Sequence, residues 1–401
     1  MKNGLLGLAT VIFFAIVCQH AFSQDVRYDI DSPLPTTRQL AYGNARLLYP
    51  FDALSFLENP SILSYTKKNN FFLTKISFYS GARGGYLYEA LNLSSYNLNP
   101  TQWSGFDWTS LYNYFLKDPY GILLNADPQA GIFGPLTIGY VGNGIGIVLY
   151  NDFYSSLDLK QSPGLPYLEV KSFAEIGASF GFSTFFEIEK FYTLHTGISL
   201  SYSKRYKSPF FYGASVLEVM NYYQSILNKT YEYDSGDSIW GDIGIILDDG
   251  QYLKYALTLN NFFGRTFFWN RIAFDNGNET AKGLKYISYI PPSLSFGFMF
   301  HLEKIPYIPT FLFDNFMIEI NVNDIFNFGE FWFKKFNLGS EISVLKIFRI
   351  RGGLNQGYLT FGLGIDINYL VIDLSFNQYE KGVLPGQQPI QVLSASVEIK
   401  I

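Results

Sequence analysis

Nucleophilic and metal chemistry has little to draw on here, because the 401-residue chain carries three His and one Cys. His20 and Cys18 fall in the N-terminal apolar stretch, and His195 and His301 fall on the polar phase of two alternating segments. A Ser-His hydrolase needs serine, base and orienting group within hydrogen-bond reach of one another. Ser199 and Ser201 follow His195, yet serines are ordinary on the wet face of a strand. Two distant histidines do not make a zinc set. Gly352-Gly353 and Gly362-x-Gly364 lie within strand-like runs and not at a strand-to-helix turn, so they are not a phosphate loop. Close backbone approach or a bend accounts for them. The expectation is no catalytic residue, no metal site and no cofactor.

The charged residues are better placed for a role. Glu319, Glu341, Arg349, Arg351, Asp366 and Asp373 fall on the polar phase of neighbouring C-terminal segments. One reading is an ion-pair network that holds a barrel wall to a plug. The alternative is a polar constriction that selects solutes.

Strict alternation defines the elements that carry these residues. Leu294, Phe296, Phe298, Phe300 and Leu302 share one phase, against Ser293, Ser295, Gly297, Met299 and His301. Phe361, Leu363, Ile365 and Ile367 alternate with Gly362, Gly364, Asp366 and Asn368 in the same way. A period of two with one fully apolar face is a sheet wetted on one side. Similar runs fall at 70–79, 82–89, 131–140, 144–153, 172–183, 190–203, 238–247, 251–261, 293–302, 315–323, 336–345, 346–354, 358–367, 368–378 and 391–401. Most have the length of about 9–11 residues that a spanning strand needs. The runs are odd in number and 82–89 is the weakest; bacterial single-chain barrels have even counts, so about fourteen strands, or sixteen, are expected.

Composition agrees. Charged residues are 16% of the chain, against roughly 25% in ordinary soluble domains. Aromatics reach 19%, with 39 Phe and 31 Tyr, which suits a lipid-facing wall and two interfacial girdles. A net charge of −5 gives no reason to expect a nucleic-acid partner. Residues 1–23 read as a secretory signal, with Lys2, an apolar run Leu5–Val17 and a small-x-small end at Ala21-Phe22-Ser23. Export would leave no cysteine in the mature chain. The fold class expected is therefore all-β, a closed antiparallel transmembrane barrel over 70–401 in a bacterial outer membrane, surrounded by membrane lipid.

Residues 24–69 show no strand series and are too apolar for a free tail, with Leu47, Leu48, Phe51, Leu54, Phe56, Leu57, Ile62 and Leu63. A hatch or plug in the lumen is expected, a periplasmic arm being the alternative. Tight turns fall at Gly142-Asn143-Gly144 and Asp248-Asp249-Gly250. Long external loops are expected at 90–130, 205–236 and 263–290, with a short helix near Ser215–Leu227. Leu393, Ala395, Val397, Ile399 and Ile401 share one phase of a closing strand. That ending resembles the C-terminal signature read by the outer-membrane assembly machinery, where Phe is commoner than Ile.

The segment Asp52-Ala53-Leu54-Ser55-Phe56-Leu57-Glu58-Asn59-Pro60-Ser61 resembles the hatch motif of the FadL family, with Ser61 where that family often has Ala. Trp240-Gly241-Asp242-Ile243-Gly244, Leu259-Asn260-Asn261-Phe262-Phe263-Gly264, Pro291-Pro292-Ser293-Leu294-Ser295-Phe296-Gly297 and Ile350-Arg351-Gly352-Gly353-Leu354-Asn355-Gln356-Gly357 follow in an order similar to its PorV-like and spirochaetal branch. The resemblance implies a fourteen-stranded barrel closed by an N-terminal hatch, with Asn59, Pro60 and Ser61 at the gate. It also implies passive uptake of a hydrophobic ligand of the long-chain fatty acid class. The PorV-like branch implies instead a component of protein secretion without transport.

Overall fold

The alternating runs become strands of a single sheet. The protein is seen in a computed structural model that describes residues 26–28, 35–49, 54–66, 69–84, 127–134, 136–160, 167–189, 192–209, 214–305, 313–367 and 369–400. The signal at 1–23, most of the 90–130 loop and Ile401 lie outside the described residues. Among the described residues, 14 strands close an antiparallel barrel. These are β1 (Asn70–Arg83), β2 (Gln129–Phe133 with Ile138–Gly142), β3 (Ile145–Lys160), β4 (Tyr167–Glu189) and β5 (Tyr192–Lys207). Then come β6 (Thr230–Asp248), β7 (Leu253–Asn260 with Arg265–Asp275) and β8 (Asn278–Ile290 with Ser293–His301). The last six are β9 (Phe313–Val322), β10 (Phe336–Val344), β11 (Phe348–Asn355), β12 (Tyr358–Ile367), β13 (Leu370–Glu380) and β14 (Pro389–Lys400). Pairing of β14 with β1, from Ile390 opposite Arg83 down to Lys400 opposite Phe72, seals the sheet and leaves no wall edge there.

Period-two alternation sets which face meets what. Outward positions such as Phe71, Phe78, Leu149, Ile176, Phe180, Leu200, Ile239, Phe361, Leu363 and Leu374 are exposed. Inward positions such as Ser77, Ser179, Ser201, Glu319 and Glu341 are buried. An apolar belt of that extent far exceeds what a water-soluble surface carries. The belt faces lipid, and the chain is a multi-pass outer-membrane barrel. No helix among the described residues is long and apolar enough to cross a membrane, so strands do the crossing.

Turns sort the two ends. The turns at 143–144, 249–252 and 345–347 share one end with the start of β1 and the end of β14. At 143–144, Asn143 (φ 51) and Gly144 (φ 80) give the positive-φ pair that a two-residue hairpin needs. The opposite end carries the 208–229 loop and its helix, α2 (Val216–Leu227). That helix opens on a reciprocal cap: the Ser215 hydroxyl accepts from the Glu218 N–H, and the Glu218 carboxylate accepts from the Ser215 N–H.

Three sequence expectations need correction. The 205–236 loop is narrower than expected, because β5 runs through Lys207 and β6 begins at Thr230. The 82–89 run is no separate strand, because β1 continues through Arg83. The 263–290 stretch is no loop, because its two arms prolong β7 and β8 as a hairpin turning at Asn276-Gly277. It stands beyond the end of β9, whose Val322 pairs with Phe296. Its free side is met by a short parallel strand, Val26–Tyr28, opposite Ile287–Tyr289. The wall is therefore tall over β3–β8 and short over β9–β12.

Candidate functional site

Residues 36–49 and 54–65 lie inside the barrel and touch opposite arcs of its wall. Helix α1 (Thr37–Ala41) packs on β11–β14, and the 3-10 turn Pro60–Tyr65 packs on β2–β6. Thr36 caps α1 by accepting from the Gln39 N–H, while the Gln39 side chain accepts from the Thr36 N–H. Asn59 caps the 3-10 turn Pro60–Tyr65 through its side-chain oxygen, with Pro60 at the first position, where a missing N–H costs nothing.

Asn59 joins the two halves of the segment. Its Oδ1 accepts from Ser61 N (3.1 Å) and Ser61 Oγ (2.6 Å), and its Nδ2 donates to Leu47 O (2.6 Å). The Ser183 hydroxyl of β4 donates to Ser61 O (3.1 Å). All three of Asn59, Pro60 and Ser61 are buried, and they form one knot at the wall.

Glycines make the seat. A Cβ added at Gly244 would strike Asn59 Oδ1, and one at Gly197 would strike the Pro60-Ser61 peptide. At Gly146 and Gly181 it would meet Leu63 and Phe56 at 2.8–3.2 Å. On the other arc, Gly353 lies against Gly43, whose own φ of +65 suits glycine alone, and Gly362 lies against Ala41. At Gly197 and Gly353 wall and segment thus approach backbone to backbone, and at the other glycines a segment side chain fills the space a Cβ would take. We expect Gly244→Val to cost about 1–3 kcal/mol through overpacking, read as a lower thermal midpoint in detergent. An unchanged midpoint would show that Asn59 can leave its seat freely.

The six charged wall residues separate into three groups. Glu319 Oε1 accepts from Leu47 N (2.9 Å) and Leu48 N (3.0 Å), so it holds the segment by its backbone. Arg351 bridges Glu341 (2.6 Å) and Asp373 (2.7 Å), and Asp373 also takes Arg38 of α1 (2.6 Å). Tyr49 OH donates to Glu341 (2.8 Å). Arg349 pairs with Asp366 at 2.6 Å, and Asp366 also takes Lys400 (2.9 Å), nearer the turn end. Burial first, and the Glu319 and Glu341 carboxylates second, hold the Tyr42 phenol well above its ordinary value, so it stays neutral inside the lumen.

Sequence reasoning did not find several partners. Arg38 and Glu398 extend the Arg351 network at 3.1 Å. Asn337, Asn355 and Asn377 form a side-chain ladder whose ends donate to Gly43 O and Leu40 O. Further toward the loop end, Glu175 pairs with Arg205 (2.6 Å) and Arg265 (2.7 Å). Arg205 lies over Phe173 and Phe267, and Arg265 over Trp240. Single inward polar residues carry no periodic signal beyond the alternation itself, which names the face and not the partner.

His195 stacks on Tyr65 (4.0 Å), with Ser64 Oγ 2.6 Å from its Nδ1, and so it also serves the segment. Tyr65 OH donates to Asp248 (3.0 Å). Ser199 donates to Asp242 (3.0 Å), away from the His195 contact. His301 pairs with Glu303 at 2.8 Å.

No protein-family model matches the chain, and no curated relative matches it by sequence. Solved structures do resemble it. One is the Pseudomonas putida toluene transporter TodX, at 10% identity, over 94% of this chain and 99% of that chain, with a TM-score of 0.46. The Ralstonia pickettii toluene transporter TbuX is also 10% identical, over 91% and 97%, with a TM-score of 0.44. A Pseudomonas aeruginosa FadL homologue is 10% identical, over 92% and 98%, with a TM-score of 0.43. Values of this size leave the activity to be argued from the chain itself.

Proposed function

We propose that this protein is a FadL-like outer-membrane channel for passive uptake of hydrophobic small molecules such as long-chain fatty acids, with the N-terminal segment 24–69 as its hatch. One observation carries the reading. Phe72, Phe133, Val141, Val148, Tyr150 and Trp240 are buried apolar or aromatic wall residues that cluster with Leu54, Phe56 and Leu63 of the inner segment. A water-filled pore is lined by polar side chains. Apolar inward residues on β1, β2, β3 and β6 are wasted in such a pore but suit a lipophilic solute. The hatch resemblance at Asn59-Pro60-Ser61 supports the same reading.

The test is calorimetric titration of the purified protein with a long-chain fatty acid. Saturable binding that weakens in Trp240→Asn is expected. A flat titration of the intact protein would sink the channel reading and favour a secretion-partner role.

A further inference from the structure

The loop 323–335 between β9 and β10 carries four exposed aromatics beyond the ends of its strands: Phe326 (45%), Phe328 (88%), Phe331 (39%) and Trp332 (67%). Aromatic rings on an outer loop would normally fold inward, since covering one such side chain is worth roughly 1.5–3 kcal/mol. Here the loop is tied down with its rings left out. Ile325 N donates to Leu294 O (2.7 Å), Asp324 N to Ser295 Oγ (3.2 Å) and Lys335 Nζ to Asn327 O (2.6 Å). Lys334 Nζ reaches both Glu330 (3.0 Å) and Gly382 O (3.0 Å), which joins this loop to the one holding exposed Val383 and Leu384.

Position along the membrane normal decides what covers the patch. β9 to β12 are 8–10 residues long, about the 9–11 that cross the hydrocarbon. The loop therefore leaves the wall at the membrane boundary, while the taller β7–β8 hairpin continues past it. Phe333 packs over Gly357 in the β11–β12 turn. Directly below that turn, Leu359 (71%) and Phe361 (59%) begin the lipid-facing belt. The aromatic patch is thus continuous with a surface already in lipid. Trp332 is the kind of side chain that settles where acyl chains meet headgroups, and the phenyl rings beside it are apolar enough to lie on the acyl side.

We propose that loop 323–335 is a membrane-seated foot, its aromatic patch lying at the boundary of headgroups and acyl chains on the side opposite the short turns. The occupant of the patch is lipid. A protein partner is the competing outcome.

The experiment places the full-length protein in vesicles whose lipids carry bromine either near the headgroup or near the chain end. The Trp332 signal is the difference between the protein and Trp332→Phe. We expect that signal to be quenched about twofold more by the shallow bromines than by the deep ones, and to be shielded from aqueous iodide. Phe328→Trp on the Trp332→Phe background restores a signal with the same depth preference. Efficient iodide quenching with no response to either brominated lipid, at both positions, would overturn the foot and leave the patch to a protein partner.

Discussion

Replacing residues 42–63 by a flexible Gly-Ser linker of equal length is expected to produce steady open-channel currents in planar bilayers, where the intact protein stays closed. The replaced stretch includes Tyr42, Leu47, Leu48, Leu54, Phe56, Ile62 and Leu63, the apolar centre of the inner segment. Without it the lumen is lined by inward Ser179, Ser199, Ser201, Glu319, Asn321 and Glu341. Glu319 then lacks the Leu47 and Leu48 N–H groups and Glu341 lacks the Tyr49 hydroxyl, and the bared polar face draws in water. Heat-dependent migration on gels would show that the barrel itself persists. A closed, intact barrel carrying the linker would rule out the segment as the gate.

The second large effect belongs to Arg351→Met. The Arg351 side chain is 0% exposed and holds both Glu341 and Asp373. Removing it leaves two buried carboxylates, and breaking a buried pair in this way costs about 3–5 kcal/mol. Asp373 retains Arg38 and Glu341 retains the Tyr49 hydroxyl. The loss therefore falls on the wall and on the segment together. Removing Glu341 as well, in Glu341→Leu with Arg351→Met, is expected to recover part of the thermal midpoint. Equal midpoints for the single and double variants would contradict an ion-pair role. Arg349→Gln, whose pair is partly exposed where the Arg351 pairs are fully buried, is expected to change the midpoint far less.

The barrel was legible because membrane crossing imposes alternation. Phe361, Leu363, Ile365 and Ile367 must face lipid, so their phase survives in the sequence. The β7–β8 hairpin escaped because it stands outside the bilayer. Residues 275–283 are exposed on both sides, and no rule of phase binds them, so Asn278-Glu279-Thr280-Ala281-Lys282 reads as loop. The charged cluster was legible as an inward face but not as three groups. Arg349 and Arg351 stand two positions apart on one strand. Stagger between strands sends one to Asp366 near the turn end and the other to Glu341 and Asp373 beneath the segment. Stagger is a property of the closed barrel, and no single strand records it. The same holds for Asn59: its cap is readable from Asn59-Pro60, but its seat on Gly197 and Gly244 exists only after β5 and β6 have paired.

The inner segment also bears on the order in which the protein is made. Arg38 pairs with Asp373 on β13 and Glu398 on β14, and Thr37 meets Ser394 on β14 at 2.6 Å. These are the strands that complete the sheet against β1. Contacts of such long sequence separation form late, because their chain entropy must be lost before they repay it. The earliest-synthesised part of the fold is thus fastened only when the last-made strands arrive, and the arc it braces is the one that closes the barrel.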